Sequence, residues 1–570
     1  ERDSLAVSRM SPYIHHGHVS PMRLIREAYA LSTSGFGDGA DKYIDELWTW
    51  RELAHHLCFL HAADLETPGI IPQWARDTLH AHKDDPRDVK SWETLARGQT
   101  GDRLWDAAQR SLLAHGELHN NVRMTWGKAI VPWSSGPSHA QDTLIDLNHR
   151  YALDGNNPNS YGGLLWCLGV LDRPFQGVDE PVTGCLRPRP LEQHARRMDL
   201  DRYESNSNET AWGGGEENGL RVAIVGGGMA GLAAARTLVD QNAEAVVFDK
   251  GRGPSGRMST RRVDLDGTGG RSAPTFDHGA QYFTARDERF ARVVRSWMQD
   301  GICAQWEGRF GAADRPGAIE EKRHSPRRYV GTPGMNAVVR HMADSLGGQS
   351  QIHFGTRVGR AELDTDNKWR LADANGEELG VFDAVLIAAP APQAADLLGE
   401  APELRDAALS VQMKPCWSAM VAFDRTVGPL FDGVFVNIDG LPLSWIAHDS
   451  SKPERPGGTA PSRWVLHAEP GWSEANIERD PDSVADELLD AFFVALDLPR
   501  VEPVYIAAHR WRHANTTHTF ERGCLFDRER LIAACGDWCR GGRVEGAYLS
   551  GIAAAGRLLG ETVRRSRNGR

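Results

Sequence analysis

The sequence predicts a protein of two domains, all-α over its first two hundred residues and α/β after them. Three observations carry this. The chain has 570 residues, past the roughly 250 to 300 at which one hydrophobic core stops growing. From Met22 to about Pro132 apolar residues recur three and four apart, as in Leu47, Trp50, Leu53, Ala54 and Leu57 and again in Leu104, Ala107, Ala108 and Leu112, the helical period. A glycine-rich turn, Gly226-x-Gly228-x-x-Gly231, then follows a strand-like run in mid-chain, where a second fold begins.

Between them Glu204 to Gly219 is polar, glycine-rich and aperiodic, the composition of a linker. The expected division is 1–205, a linker at 206–219, and 220–570. Downstream, Arg221 to Val225 reads as a buried strand, Gly231 to Asp240 as a helix and Ala245 to Phe248 as a second strand, a βαβ unit. Val381 to Ala389 reads as one further strand ending at Pro390.

Composition narrows the function. Hydrophobic content is 41% and no apolar run approaches the ~20 residues of a membrane helix. Glu1, Arg2 and Asp3 open no signal-peptide pattern. A soluble, cytoplasmic protein is expected, with no membrane partner and no obligate protein partner. The eight cysteines are scattered without zinc spacing, so neither a disulfide framework nor a metal is expected. Cys535 and Cys539 are read as small residues packed beside a cofactor. The net charge of -12 gives no overall attraction for nucleic acid and leaves room only for a local basic groove.

In the glycine turn, Gly226 permits the bend, Gly228 lets backbone approach a pyrophosphate, and Gly231 lets helix and strand pack closely. The helix start offers free N–H groups to phosphates. Asp249 closes the second strand where an acid takes ribose hydroxyls. Lys250 to Arg262, with Arg257 and Met258, resembles the G-G-R-x-x-[ST] element of amine-oxidase and renalase-like flavoproteins, with Ser255 for its first glycine. Further matches to renalase-like proteins are Phe276 to Thr284, Gly331 to Met335, Pro415 to Trp417, Lys452-Pro453, and Cys535 through Asp537, Val544 and Glu545 to Gly551. The resemblance covers about residues 219 to 565. It implies a Rossmann-like FAD-binding domain with an inserted β-rich substrate domain. It also implies a flavin oxidase that takes hydride from a reduced nicotinamide isomer, an NAD(P)H-type dinucleotide, and passes electrons to O2, with amine oxidation or a flavin-dependent desaturation as the alternatives. Asp537 would accept from ribityl or phosphate-side hydroxyls, and the segment from Gly542 would open a last helix. His278, Trp445 and His467 are packing or orienting candidates, with no protein base required.

The first half carries Ser8-Arg9-Met10-Ser11-Pro12, then Glu46-Leu-Trp-Thr-Trp50, Leu104-Trp105-Asp106, His119 to Lys128 with Arg123, Met124 and Trp126, Leu147-Asn148, Asp154 to Tyr161, and Trp166. In order and spacing these resemble the FAD-binding domain of class II cyclobutane pyrimidine dimer DNA photolyases over about residues 6 to 205. That resemblance implies a second FAD in a helical bowl, with Ser8, Met10 and Ser11 at its phosphates. Asn148 would face the ring, with Arg123 paired to Asp154 across it. Trp126 and Trp105 would carry electrons, with Trp133 nearby on the same helix as Trp126. Glu46 would bond the dimer of UV-damaged DNA, and Trp50, Met124 and Trp166 would receive the flipped lesion. Departures are Asp106 where the family has Asn, and Asn156-Asn157 for Arg-Asp. The antenna domain of photolyases is not among these residues, and with no initiator Met a longer parent chain is expected. The alternatives for this half are a cryptochrome-like photosensory module and a DNA-independent scaffold.

Overall fold

The computed structural model describes residues 7–35, 37–208, 219–264, 273–322, 326–347, 350–456, 462–517, 519–520 and 522–568. The chain separates into two compact units, Glu1–Ala211 and Trp212–Arg570. Most of the expected linker lies outside the described residues, and its first three positions belong to the helix Leu200–Asn208.

Among the described residues the first unit is built of helices, with one isolated bridge between Glu180 and Gly184. Its helix ends follow local chemistry. Asp102 caps Arg103–His115 by accepting from Trp105 N at 2.9 Å, and Gly116 ends that helix in the left-handed region at φ +67°. Pro137 opens Pro137–Tyr151, and Asn157 caps Pro158–Trp166. The core gathers Trp105, Trp126, Leu112, Ile130, Leu144 and Leu165. Asp45–Trp50 is a π-helical turn running into Arg51–Leu60, a form concentrated at functional sites.

The second unit is centred on a six-stranded sheet. Its order is Leu525–Asp527, Ile532–Ala534, Ala384–Ile387, Arg221–Val225, Glu244–Asp249 and Ser350–Phe354, parallel apart from the first pair. The expected strand 381–389 is two elements. Glu378–Phe382 belongs to a three-stranded antiparallel sheet and Ala384–Ile387 to the six-stranded one. The reason is that Asp383 between them turns to accept from Arg221 N at 2.7 Å, an exchange that hydropathy does not record.

A seven-stranded sheet runs Tyr505–Thr516, Met413–Phe423, Ser462–Ala468, Leu443–His448, Gly433–Val436, Phe310–Arg315 and Ala318–Glu321, backed by the helix Pro481–Leu496 with Phe492 and Leu488 in its core. Among the described residues no helix is long and apolar enough to cross a membrane.

Candidate functional sites

In the first unit Trp105 lies between the two other tryptophans. Its ring stacks on Trp126 at 5.8 Å and 11°, and meets Trp133 edge-on at 5.5 Å. Its indole N–H is fixed on the Trp126 carbonyl at 3.0 Å, and that of Trp126 on Gln109 Oε1 at 3.1 Å. Trp105 and Trp126 are fully buried while Trp133 is half-buried. Trp133 does not share the helix of Trp126 as expected. That helix is Asn120–Ile130, and the turn before Pro137 carries Trp133 around to Trp105.

Arg123 pairs with Asp154 at 3.1 Å, and Ser11 donates to the same carboxylate at 2.7 Å. Burial pushes the Asp154 carboxyl up, but Arg123 and Ser11 outweigh it and hold it below its ordinary value. The Ser11 hydroxyl proton is thereby spent on Asp154 and not on a phosphate. Ser8 and Met10 line an open cavity of about 1070 Å³ with Leu24, Glu27, Gly37 and Tyr43. Asn148 is fully buried, and neither of its amide atoms, nor Arg123 Nε, finds a hydrogen-bond partner among the described residues. Buried amides are nearly always paired, so these residues fit a flavin ring whose edge both donates and accepts.

The expected lesion contacts are less assembled. Glu46 pairs through Oε1 with Lys42 at 2.6 Å, one helical turn away, in an exposed ion pair. Trp50 is exposed at the end of the π-helical turn. Met124 packs its methyl beside Gly163. Trp166 carries Lys128 Nζ at 4.7 Å and the Arg189 guanidinium at 5.5 Å from its ring centre. Lys128 closes the His119 to Lys128 motif but shows no role of its own in the sequence, because a lone Lys on a helix ordinarily faces water. Here it is buried without a hydrogen-bond partner for Nζ among the described residues, and desolvation lowers its pKa to about 8. Asp106 accepts from Thr100 and Gly101 backbone N–H at 2.8 and 3.0 Å, which commits it to its own loop.

In the second unit one cavity of about 1620 Å³ takes in Gly226, Gly228, Asp249, Lys250, Arg257, Met258, Asp537 and Val544. Gly226 has φ +113°, and a Cβ on Gly231 would stand 1.8 Å from the Gly226 carbonyl oxygen, so only glycine lets helix Met229–Val239 close on its strand. Gly231 packs and stands outside the lining. Asp249 accepts from Gly227 N at 2.5 Å and Gly251 N at 2.6 Å, holding both loops while keeping lone pairs for further donors. The glycine cradle, the helix start and this acid fit the pyrophosphate and ribose of FAD. Lys250 reaches Gln393 at 3.3 Å.

Two expectations change. Arg257 and Asp537, read as separate cofactor contacts, bind each other at 2.9 and 2.5 Å. Glu545 stands outside the lining and accepts from Arg286 and Asp287 N–H at 2.6 and 2.7 Å, because the approach to helix Glu288–Gln299 leaves those donors bare. Its helix, Val544–Asn568, is the expected last one. Cys535 and Cys539 are buried and burial raises both thiols, which makes them inert.

The far wall comes from the seven-stranded sheet. Trp445 contacts Phe435 at 4.6 Å and Tyr282 at 5.7 Å, and His278 stacks on Trp511 at 5.4 Å with His509 edge-on at 4.8 Å. Burial, with His509 adding, lowers His278 to about 4, and burial with Lys452 lowers His467 to about 4. Strand Tyr505–Thr516, which supplies His509 and Trp511, escaped the sequence reading because His-Arg-Trp-Arg-His alternates charge and ring without any apolar face.

Comparison with known proteins finds matches in each unit. The FAD-binding domain of DNA photolyase matches residues 43–160, the NAD(P)-binding Rossmann-like domain residues 224–297, and the flavin-containing amine oxidoreductase family residues 317–559. The deoxyribodipyrimidine photo-lyase of Methanothermobacter thermautotrophicus is 35% identical over 199 residues, covering 35% of this chain and 42% of that protein. That of Oryza sativa subsp. japonica is 36% identical over 202 residues, covering 35% and 39%. The chain thus spans about two fifths of the length of these relatives. The structure of cyclohexylamine oxidase from Brevibacterium oxydans IH-35A aligns with 60% of this chain and 99% of its own, at 13% identity and a TM-score of 0.47. The chain joins a helical region that matches the FAD-binding domain of DNA photolyase to a Rossmann-like region that matches the flavin-containing amine oxidoreductase model.

Proposed function

We propose that the chain is a bifunctional flavoprotein with one FAD per unit, repairing cyclobutane pyrimidine dimers by light-driven electron transfer in the first and oxidising reduced nicotinamide isomers in the second. FAD, when bound, supplies the electron and hydride chemistry of both. The observation that carries the first reading is the contact series Trp126, Trp105 and Trp133. These rings lead electrons inward from the half-buried Trp133, while Arg123, Asp154 and Asn148 hold the ring site in place.

For the second unit the carrying observation is the chemistry of the wall. The acids lining the cavity, Asp249, Asp396 and Asp537, lie outside the seven-stranded sheet, and the sheet residues that line it include no carboxylate. Among the described residues a protonated amine would meet no counter-ion on that sheet, and the imidazoles of the wall stay neutral at pH 7. A flat, uncharged dihydropyridine fits against the wall formed by Trp445, Phe435 and Tyr282, with a nucleotide tail toward the basic lining. The seven-stranded sheet is accordingly the substrate-facing part of the oxidase.

A titration tests the whole reading: two FAD per chain are expected, and one or none overturns it. Anaerobic mixing with 2- or 6-dihydro isomers of NAD(P) should bleach the flavin of the second unit within seconds. Bleaching by an amine alone would reverse the substrate. For the first unit, illumination with dimer-containing DNA should remove dimers. The cations over Trp166, which cover the face a flipped base would stack on, favour one second reading, a photosensory module, which would photoreduce its flavin and leave dimers intact.

A further inference from the structure

Three sequence motifs outside the glycine turn meet at one buried point in the second unit. Asp277 and Gln281 come from the Phe276 to Thr284 segment. The carbonyls of Gly331 and Pro333 come from the Gly331 to Met335 segment, and both accept from Arg455 Nη1 at 2.9 Å. Lys452 opens the third. The side chains of Lys452, Arg455, Asp277 and Asp449 are wholly excluded from solvent. Lys452 Nζ donates to Asp449 at 2.7 Å, Asp277 at 3.2 Å and Gln281 Oε1 at 3.3 Å, three acceptors for its three protons. Arg455 bonds Asp277 as well. Burial alone would raise the Asp277 carboxyl, but Arg455 and Lys452 hold it well below the carboxylate range.

This cluster reaches the cavity through one side chain. Gln281 and His467 both line it. An ammonium accepts nothing, so the amide oxygen of Gln281 must face Lys452. The amide nitrogen then faces the Asp277 carbonyl, the Gly279 carbonyl at 3.0 Å and His467 Nε2 at 3.3 Å. The opposite orientation would set N–H against ammonium and oxygen against two carbonyls. The two amide protons are shared among these three acceptors, and a proton on His467 Nε2 would point at N–H groups that cannot accept it, so the neutral ring carries its proton on Nδ1.

We infer that Lys452, acting through Gln281, is a positioning residue that fixes the tautomer and orientation of His467 in the cavity wall beside Trp445. What that wall faces, the ring of a reduced nicotinamide, rests on the oxidase reading above. The tautomer does not. The substrate then meets an uncharged ring of fixed polarity, so the effect falls on binding and not on the hydride step.

The test is nitrogen NMR of the full chain with FAD bound and histidine labelled at both ring nitrogens, the His467 signals being assigned by their loss in His467→Gln. The wild type should show Nδ1 protonated and Nε2 bare. Gln281→Glu should invert this, because a carboxylate oxygen facing Nε2 demands a proton there. Gln281→Leu, which leaves Lys452 its two carboxylates, should mix the two forms and raise KM for the reduced nicotinamide roughly five- to ten-fold with kcat little changed. Lys452→Met should behave like Gln281→Leu if it folds. A wild-type proton on Nε2, or a tautomer unmoved in Gln281→Leu, overturns the inference. The expected tautomers without turnover of any reduced nicotinamide would uphold the positioning role and overturn the oxidase reading instead.

Discussion

Arg257 and Asp537, 280 residues apart in sequence, close on each other through two hydrogen bonds, Nη1 to Oδ2 at 2.9 Å and Nη2 to Oδ1 at 2.5 Å. The same guanidinium donates to the Ala514 carbonyl at 3.0 Å. One side chain therefore ties the turn after Asp249, the edge strand of the seven-stranded sheet and the closing segment into one floor. Bidentate pairs of this kind are the strong ones. Arg257→Met leaves a largely buried carboxylate without its partner and should cost the second unit about 1–3 kcal/mol, read by chemical denaturation. In a cycle with Asp537→Asn, the two losses should not add. Simple additivity would mean that the pair is not coupled.

The glycines separate folding from cofactor binding. Gly231→Ala drives a methyl into the Gly226 carbonyl and should prevent the second unit from folding. A Cβ on Gly228 meets nothing nearer than Gly256 Cα at 4.0 Å. Gly228→Ala should fold normally, shown by an unchanged melting profile of the protein without flavin. It should nonetheless bind FAD at least ten-fold more weakly, about 1.4 kcal/mol, because the methyl occupies the pyrophosphate approach. Unchanged affinity in this variant would remove the phosphate from the turn.

Trp105 is the middle ring of its series, so Trp105→Phe should interrupt electron flow while largely keeping the packing. Blue-light photoreduction of the first unit should slow by an order of magnitude or more. The lost indole bond to the Trp126 carbonyl should cost about 1 kcal/mol. Flash photolysis showing wild-type rates would place the path elsewhere.

Lys128 gives the first unit a pH signature. The unfolded chain holds this proton up to about 10.5 and the folded chain only to about 8, because desolvation disfavours the ammonium. Below 8 the penalty is present in full. Between 8 and 10.5 the unfolded state binds more protons, so this group makes stability rise with pH. Lys128→Met should stabilise the first unit at pH 7 by about 3 kcal/mol, less roughly 1 kcal/mol for the lost contact with Trp166. It should also flatten the rise at high pH. Denaturation curves at pH 7 and 10 check both, and a variant less stable than wild type at pH 7 would show that Lys128 has a partner worth more than its desolvation.

The two fold classes and the site-bearing segments were legible because they depend on local rules. Helical periodicity marked the helical region that carries Trp105 and Trp126 but misplaced Trp133, and the turn from Gly226 to Gly231 with Asp249 fixed a βαβ unit whatever surrounds it. Residue roles were harder to read where partners are distant. Glu545 looked like a cofactor contact by position, yet it serves the backbone of Arg286 and Asp287. Ser11 looked like a phosphate ligand and bonds Asp154 instead. Lys128 and His509 carry no signal of their own, since burial and neighbours alone make one an uncomfortable ammonium and the other part of a neutral wall.

By itself the sequence determined an all-α part, an α/β part, their boundary region, and the residues from which each site is drawn. These follow from periodicity, turn chemistry and composition, which act within a few residues. Only the tertiary structure decided which charges meet: Arg257 with Asp537, Arg123 with Asp154, Lys452 with Gln281. Such pairings form between segments that nothing local relates, because a desolvated charge takes whatever counter-charge or dipole the packed chain brings within reach.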